Sequence, residues 1–219
     1  ANVTRLEARN PSLEFHGATC RFLQNRPRLR ETYIQQAYIK LIERAQSEVL
    51  IANAYFVPTP SVSQALTDAA KRCASVRLIS NSPETNDLPE ISLVGRGYYS
   101  GLLAVNQTPE VKACGNRDAG MRIWEWVGRA PGEATRSQGT MHSKFAVVDG
   151  ERALVGSYNL DPRSERFVLR IGLLAAVNGR MIRIECGADV RHAGTQRRVG
   201  CPLAAGVELD AGHGRHARF

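Results

Sequence analysis

Two short apolar runs, Phe145-Ala-Val-Val148 and Ala153-Leu-Val155, stand on either side of Asp149-Gly150. No other feature restricts the fold of this chain so tightly. Runs rich in β-branched residues, joined by a dipeptide that takes positive φ readily, read as a buried β-hairpin. If the first strand starts at His142, the two-residue period of a strand puts His142 and Lys144 on one face. A two-residue turn pairs Val148 with Glu151 and sets His142 opposite Ser157. A four-residue loop, 149–152, sets His142 opposite Asn159. In either register an imidazole, an ammonium, a hydroxyl and a carboxamide gather at one end of a sheet. The apolar runs are the scaffold, and the polar groups are what it carries.

That set of groups suits phosphate chemistry. Lys144, Ser157 and Asn159 can donate hydrogen bonds to phosphate oxygens, and His142 can attack phosphorus or protonate a leaving oxygen. No carboxylate cluster stands near the hairpin, so the expectation is a site with no metal and no cofactor, in which the protein stabilises the charge. Plainer readings compete with this one. A lone strand histidine is most often structural, but a lysine set among apolar neighbours is seldom buried without a partner. Asp149 is a turn residue on any reading, and its odd offset from His142 turns it away from the face that carries His142 and Lys144.

The rest of the chain alternates strand and helix. Gly17–Gln24, Val49–Ala52, Val76–Ser80 and Met121–Val127 read as strands. Arg30–Gln46, Pro60–Ala74 and residues 90–105 carry helical periodicity or helix-start signals. Gly128–Gln138 reads as a loop. This order predicts an α/β fold with a layered sheet. The 219 residues suffice for one such domain, and no apolar run reaches the roughly 20 residues of a membrane span. No signal peptide is recognisable at the start of the chain.

Net charge is +8, with 25 Arg against 4 Lys. That balance fits either a compositional bias or a basic surface for phosphate-bearing partners. Five cysteines with no C-x-x-C spacing predict buried free thiols rather than a zinc site or a disulfide framework. Residues 176–219 hold 7 Gly, 7 Arg and no Lys, with no strand or helix period beyond Met181–Ile184. They read as an irregular tail, disordered or non-native, following a domain of residues 1–175.

His142-x-Lys144, Asp149 and then Gly156-Ser157-x-Asn159 together resemble the HKD signature of the phospholipase D superfamily. The continuation Leu160-Asp161-Pro162-Arg163-Ser164 resembles the bacterial cardiolipin synthase and phosphatidyltransferase branch, as do Tyr55-Phe56-Val57-Pro58 and Asn86-Asp87-Leu88-Pro89. The likeness covers residues 18–167. It implies a mixed β-sheet sandwiched between helices and metal-independent phosphodiester transfer through a phosphohistidine. The catalytic set it implies is His142, Lys144 and Asp149, with Ser157 and Asn159 on the substrate phosphate.

It further implies a phosphatidylglycerol-like phospholipid substrate, peripheral membrane contact and a bacterial location, cytoplasmic or against the inner membrane. One HKD motif makes half a site, and His16-Gly17-Ala18 offers no second H-x-K. The missing half is therefore expected from a longer chain, of which this is the C-terminal half, or from a homodimer partner. Two alternatives stand beside this reading: a nuclease of the same superfamily, with nucleic acid the less favoured partner, and an inactive fragment that only binds phosphate or anionic membrane. One departure supports the last. Where the family carries Asn and then, two residues on, a Glu that orients the histidine, this chain has Val168 and Arg170.

Overall fold

The computed structural model describes residues 19–129, 139–166, 170–176, 181–184, 189–192, 198–200 and 207–210. In chain order its elements are β1 (Thr19–Asn25), α1 (Tyr33–Glu43), β2 (Glu48–Asn53), α2 (Pro60–Lys71), β3 (Ser75–Asn81), α3 (Pro89–Leu103), α4 (Pro109–Lys112) and β4 (Gly120–Arg129). After these come β5 (Lys144–Val148), β6 (Arg152–Gly156), α5 (Pro162–Arg166) and β7 (Arg170–Ala176). The short strands β8 (Met181–Ile184), β9 (Asp189–His192), β10 (Arg198–Gly200) and β11 (Val207–Asp210) complete the series.

Val49-Leu50-Ile51-Ala52 carries no polar side chain toward either face, as a strand covered on both sides requires. It forms the middle of β2, which lies at the centre of a mixed sheet. Among the described residues that sheet runs β1-β7-β6-β5-β2-β3-β4-β9-β10, with β8 and β11 paired separately. β2, β3 and β4 are parallel, joined by α2 and by α3 with α4, because parallel neighbours need a crossover. β5, β6, β7 and β1 continue antiparallel on the other side of β2.

Helix α1 sends Ile34, Tyr38, Leu41 and Ile42 inward at three- and four-residue spacing. Its first turn is tied to β1, where buried Asn25 accepts from the Ile34 N–H at 3.0 Å. α2 starts as its sequence predicts, with the Thr59 hydroxyl accepting from the Val62 N–H and Pro60 in the first helical position. Residues of α1, α2, α3 and α4 join Val49, Ile51, Val76, Leu78, Ile123, Ala146, Val148 and Leu154 in the larger core cluster. On the other face of the sheet, strand residues Leu50, Ala52, Ile79, Trp124, Val147 and Ala153 pack on one another as a second, smaller cluster.

This is the α/β class that the alternating pattern predicts. One expectation needs correction. Cys73 and Cys114 form a disulfide with Cα atoms 5.5 Å apart, where buried free thiols were expected. The crossover through α3 and α4 returns Cys114 to the end of α2, a proximity that a 41-residue spacing does not announce. Cys20 is free but exposed, while Cys186 and Cys201 lie outside the described residues. In the tail, the described residues form only the short strands β8 to β11, and β9 pairs with Trp124–Arg129 of β4 through backbone groups that need no side-chain pattern. The rest of the tail, the loop residues 130–138, His16 and Val168 also lie outside the described residues.

Candidate active site

The site is built on two asparagines that end central strands. Asn53 and Asn81 close β2 and β3, and both are fully buried. A buried carboxamide must find partners for its donor and its acceptor, and these two find them in the loops that carry the chemistry. Asn81 accepts from the Met141 N–H at 3.0 Å and donates to the Met141 carbonyl at 2.8 Å, which fixes the residue before His142. The Ala54 N–H adds a bond to the Ser143 carbonyl at 2.9 Å. Asn53 accepts from the Leu160 N–H at 3.1 Å and donates to the Tyr158 carbonyl at 3.4 Å, holding the segment that carries Asn159.

The hairpin register falls between the two expected ones. Val148 pairs with Arg152, so the loop has three residues, with positive φ at Asp149 (56°) and Gly150 (67°). Phe145 faces Val155, and extending that register would set His142 opposite Tyr158 rather than Ser157 or Asn159. Past Gly156 the chain leaves β6 and makes its own way to the site. Ser157 stays with β7: its N–H donates to the Ile171 carbonyl at 2.9 Å, and its hydroxyl oxygen accepts from the Ile171 N–H at 3.0 Å. Asn159 is 2% exposed, and its Oδ1 has no partner among the described residues.

His142 is exposed, with its ring 6.2 Å from that of Tyr55 in an edge-on contact. Lys144 is buried, and its ammonium donates to the His142 carbonyl at 2.9 Å. Loss of water around Lys144, and then the nearby Arg170 guanidinium, lower its pKa below the ordinary lysine value, against the opposing pull of Asp87 and Asp161. Asp149 is not brought to this group. It sits at the opposite end of β5, where its carboxylate accepts from the N–H groups of Gln46, Ser47 and Glu48 and from the Ser47 hydroxyl.

The structure adds four residues to which the sequence reading gave no role. Tyr55 is buried, and its hydroxyl donates to both carboxylate oxygens of Asp87, at 2.6 and 2.7 Å. Burial first, and then the Asp87 carboxylate, push the Tyr55 phenol up to about 12. The Lys144 ammonium lies 5.7 Å from the Tyr55 ring centroid, and the Arg163 guanidinium lies 5.2 Å from it. Arg163 in turn donates through Nε and Nη2 to Asp161, which is 2% exposed and also accepts from the Ser164 N–H at 2.7 Å. The sequence signal was present, because Tyr55, Asp87, Asp161 and Arg163 all sit in the flanking motifs, but nothing local says that a single ring joins them. Arg170 stands nearby on β7, and its Nε has no partner among the described residues. Among the described residues no three His, Cys, Asp or Glu side chains are grouped to share a metal ion.

Comparison with known proteins shows the family and the fold. The family model described as "Cardiolipin synthase, PLD-like domain" matches residues 38–173. Over 154 residues the chain is 28% identical to cardiolipin synthase A of Proteus mirabilis, covering 70% of this chain and 26% of that protein. Cardiolipin synthase A of Yersinia pseudotuberculosis is 29% identical with the same coverage. The chain thus spans about a quarter of the length of these relatives. Two solved structures share the fold. NucT from Helicobacter pylori has a TM-score of 0.51 at 17% identity, covering 73% of this chain and 86% of that one. Phosphatidylserine synthase of Haemophilus influenzae has a TM-score of 0.57 at 16% identity, covering 74% of this chain and 35% of that one.

Proposed function

This chain belongs to the cardiolipin synthase phospholipase D-like family, and from that membership we propose that it supplies one half of a metal-independent phosphodiester-transfer site acting on phospholipids. The observation that carries the reading is the pairing of exposed His142 with buried, sparsely bonded Lys144 at one sheet end, inside a ring of further charged groups. A buried ammonium with two protons to spare is a preformed site for a phosphate oxygen.

In the first half-reaction a histidine nitrogen bonds to phosphorus while the ester oxygen leaves with a proton from a second histidine. In the second, the oxygen of an acceptor alcohol or of water attacks that phosphorus, the N–P bond breaks, and the attacking oxygen's proton returns to the second histidine. His142 takes one of these roles, and a second HKD half, from a longer chain or a homodimer partner, supplies the other. Lys144 and Asn159 hold the transferring phosphate. No described helix is long and apolar enough to cross a membrane. In this reading the domain meets a phosphatidylglycerol-like substrate at the bilayer surface.

The test is turnover of labelled phosphatidylglycerol by the purified chain, with and without a first HKD half from a relative, followed by acid-quench mapping of phosphohistidine. The expected result is slow turnover alone, well below about 1 per second, and a rise on adding the second half that His142→Ala abolishes. Undiminished turnover by His142→Ala overturns the proposal. A second reading, in which the module binds phosphate without transferring it, is favoured by Arg170. Its guanidinium offers a histidine no acceptor and adds a further cation near Lys144.

A further inference from the structure

Cys73 stands where a helix ending favours glycine. α2 closes with the Ala74 N–H donating to the Ala69 carbonyl at 3.1 Å and the Cys73 N–H donating to the Ala70 carbonyl at 3.0 Å. That pair of bonds sets residue 73 in the left-handed region, and Cys73 has a φ of 69°. A β-carbon is disfavoured there, so a side chain at this position calls for a separate reason. Its partner supplies one. Cys114 follows α4, a helix of four residues whose buried residue is Val111. The Lys71–Glu110 pair beside it spans 4.0 Å at the surface, where an ion pair contributes little. The end of α2, in contrast, is well anchored. Arg72 Nη2 donates to the Ile42 and Glu43 carbonyls at 3.2 and 3.0 Å, and the Ser75 N–H donates to the Ser47 carbonyl at 2.8 Å. Asn106 and Met121 exchange two hydrogen bonds, at 2.8 and 2.7 Å, and so bracket the excursion 107–120. The Cys73–Cys114 bond fastens that loosely held excursion to a fixed helix end.

We propose that Cys73–Cys114 is a structural staple formed by oxidation in the working protein, and that this domain therefore faces an oxidising compartment rather than a reducing cytosol. Structural disulfides form and persist in such compartments. Both cysteines are half-buried, so a disulfide oxidant can reach them. One thiolate attacks a sulfur of that oxidant to form a mixed disulfide, and the second thiolate then displaces it. Two electrons and two protons pass to the oxidant, which leaves as a dithiol. Across a separation of 41 positions the bond closes a loop that holds β3, α3 and α4, and it removes that loop's freedom from the unfolded chain. It lies where β3 begins, at the sheet end opposite His142 and Lys144, so its effect falls on stability and not on the chemistry of that end. The staple stands independently of the proposed phosphate chemistry, and an oxidising setting departs from the cytoplasmic location that the resemblance implies.

The first measurement is thermal unfolding of the purified 219-residue chain with and without dithiothreitol. Reduction should lower the midpoint by about 5–15 °C. Cys114→Ser should show the same lower midpoint and no longer respond to the reductant. Adding Cys73→Gly to Cys114→Ser should then recover about 2–4 °C, because glycine suits the left-handed position once the bond is gone. On reduction, hydrogen exchange should quicken within 107–120 and stay unchanged at the Met141 amide, at the other end of the sheet. An unchanged midpoint on reduction overturns the staple. The second measurement is made in the cells that produce the protein. Their thiols are trapped with acid, alkylated, and mapped by mass spectrometry before and after reduction. Cys73 and Cys114 are expected to take the label only after reduction. Labelling of both without reduction overturns the oxidising setting, even where the purified chain forms the bond in air.

Discussion

At one end of β5 a carboxylate accepts from three backbone N–H groups and a hydroxyl. At the other end, five residues away, a buried ammonium donates to a single carbonyl. Asp149 and Lys144 belong to one motif and one strand, yet the fold treats them oppositely. Around Asp149 it satisfies the charge fully with local backbone, so the carboxylate has little capacity left for a ligand. Around Lys144 it removes water and returns little, and it gathers Arg163 and Arg170 nearby, with Asp87 and Asp161 as opposing charges among the described residues. The Asp149 end is built for holding the chain. In the proposed reading the Lys144 end receives an anion, because desolvated and unspent donors are worth most when an oxyanion arrives.

Substitution should separate the two ends. The largest effect expected is from His142→Ala in the two-half assembly proposed above, which should lose about 10³-fold or more in turnover of phosphatidylglycerol. Because His142 is exposed, its urea midpoint should hardly move. Comparable losses of turnover and of stability would merge the two ends and break the contrast. Asp149→Ala should do the reverse. Stripping three N–H groups of their acceptor should cost about 2 kcal/mol in urea unfolding, with turnover per folded molecule close to unmodified.

Acid should reveal the same end. Burial opposes ionisation of Asp149, but the N–H groups of Glu48, Ser47 and Gln46 outweigh it and hold the carboxyl below the usual aspartate range. Its contribution is therefore fully present above the unfolded value of about 3.9 and fades as pH falls through the lower folded one. Asp149→Asn should flatten that part of the stability curve. The smallest effect expected belongs to the Lys144 end. Burial and Arg170 depress the Lys144 pKa, so Arg170→Gln should raise the pH at which the Lys144 side-chain resonances titrate. A shift downward or none at all would remove Arg170 from the site.

Much of this division is legible in the sequence, but unevenly. The hairpin can be read because Phe145–Val148 and Ala153–Val155 show their apolar character locally. Its register cannot, because a choice among loops of two, three or four residues turns on whether Asp149 and Gly150 both take positive φ. The HKD spacing picks out His142 and Lys144, whereas the burial that makes Lys144 responsive comes from elements up to 89 positions away along the chain, such as Tyr55. Asn53 and Asn81 escape notice because a lone amide at a strand end looks like the start of a loop. Only the fold shows that each reaches into a segment far along the chain. The disulfide is hidden for the same reason, since its two cysteines meet only through the α3–α4 crossover.

The glycine of the Gly156-Ser157-x-Asn159 segment has a mechanical role. A β-carbon at Gly156 would collide with the Ile171 carbonyl oxygen and stand 2.7 Å from the Gly172 Cα, and Gly156 pairs directly with Gly172 in the ladder. Where the two strands meet without side chains, their backbones come into direct contact. Asn159 follows from one of them and Arg170 projects from the other, so displacing either strand must carry both groups with it. The spacing between the Asn159 segment and Arg170 is in this sense set by an absence. The missing β-carbon at 156 lets the two backbones approach this closely, and any residue larger than glycine there would retune the site without touching a charged group.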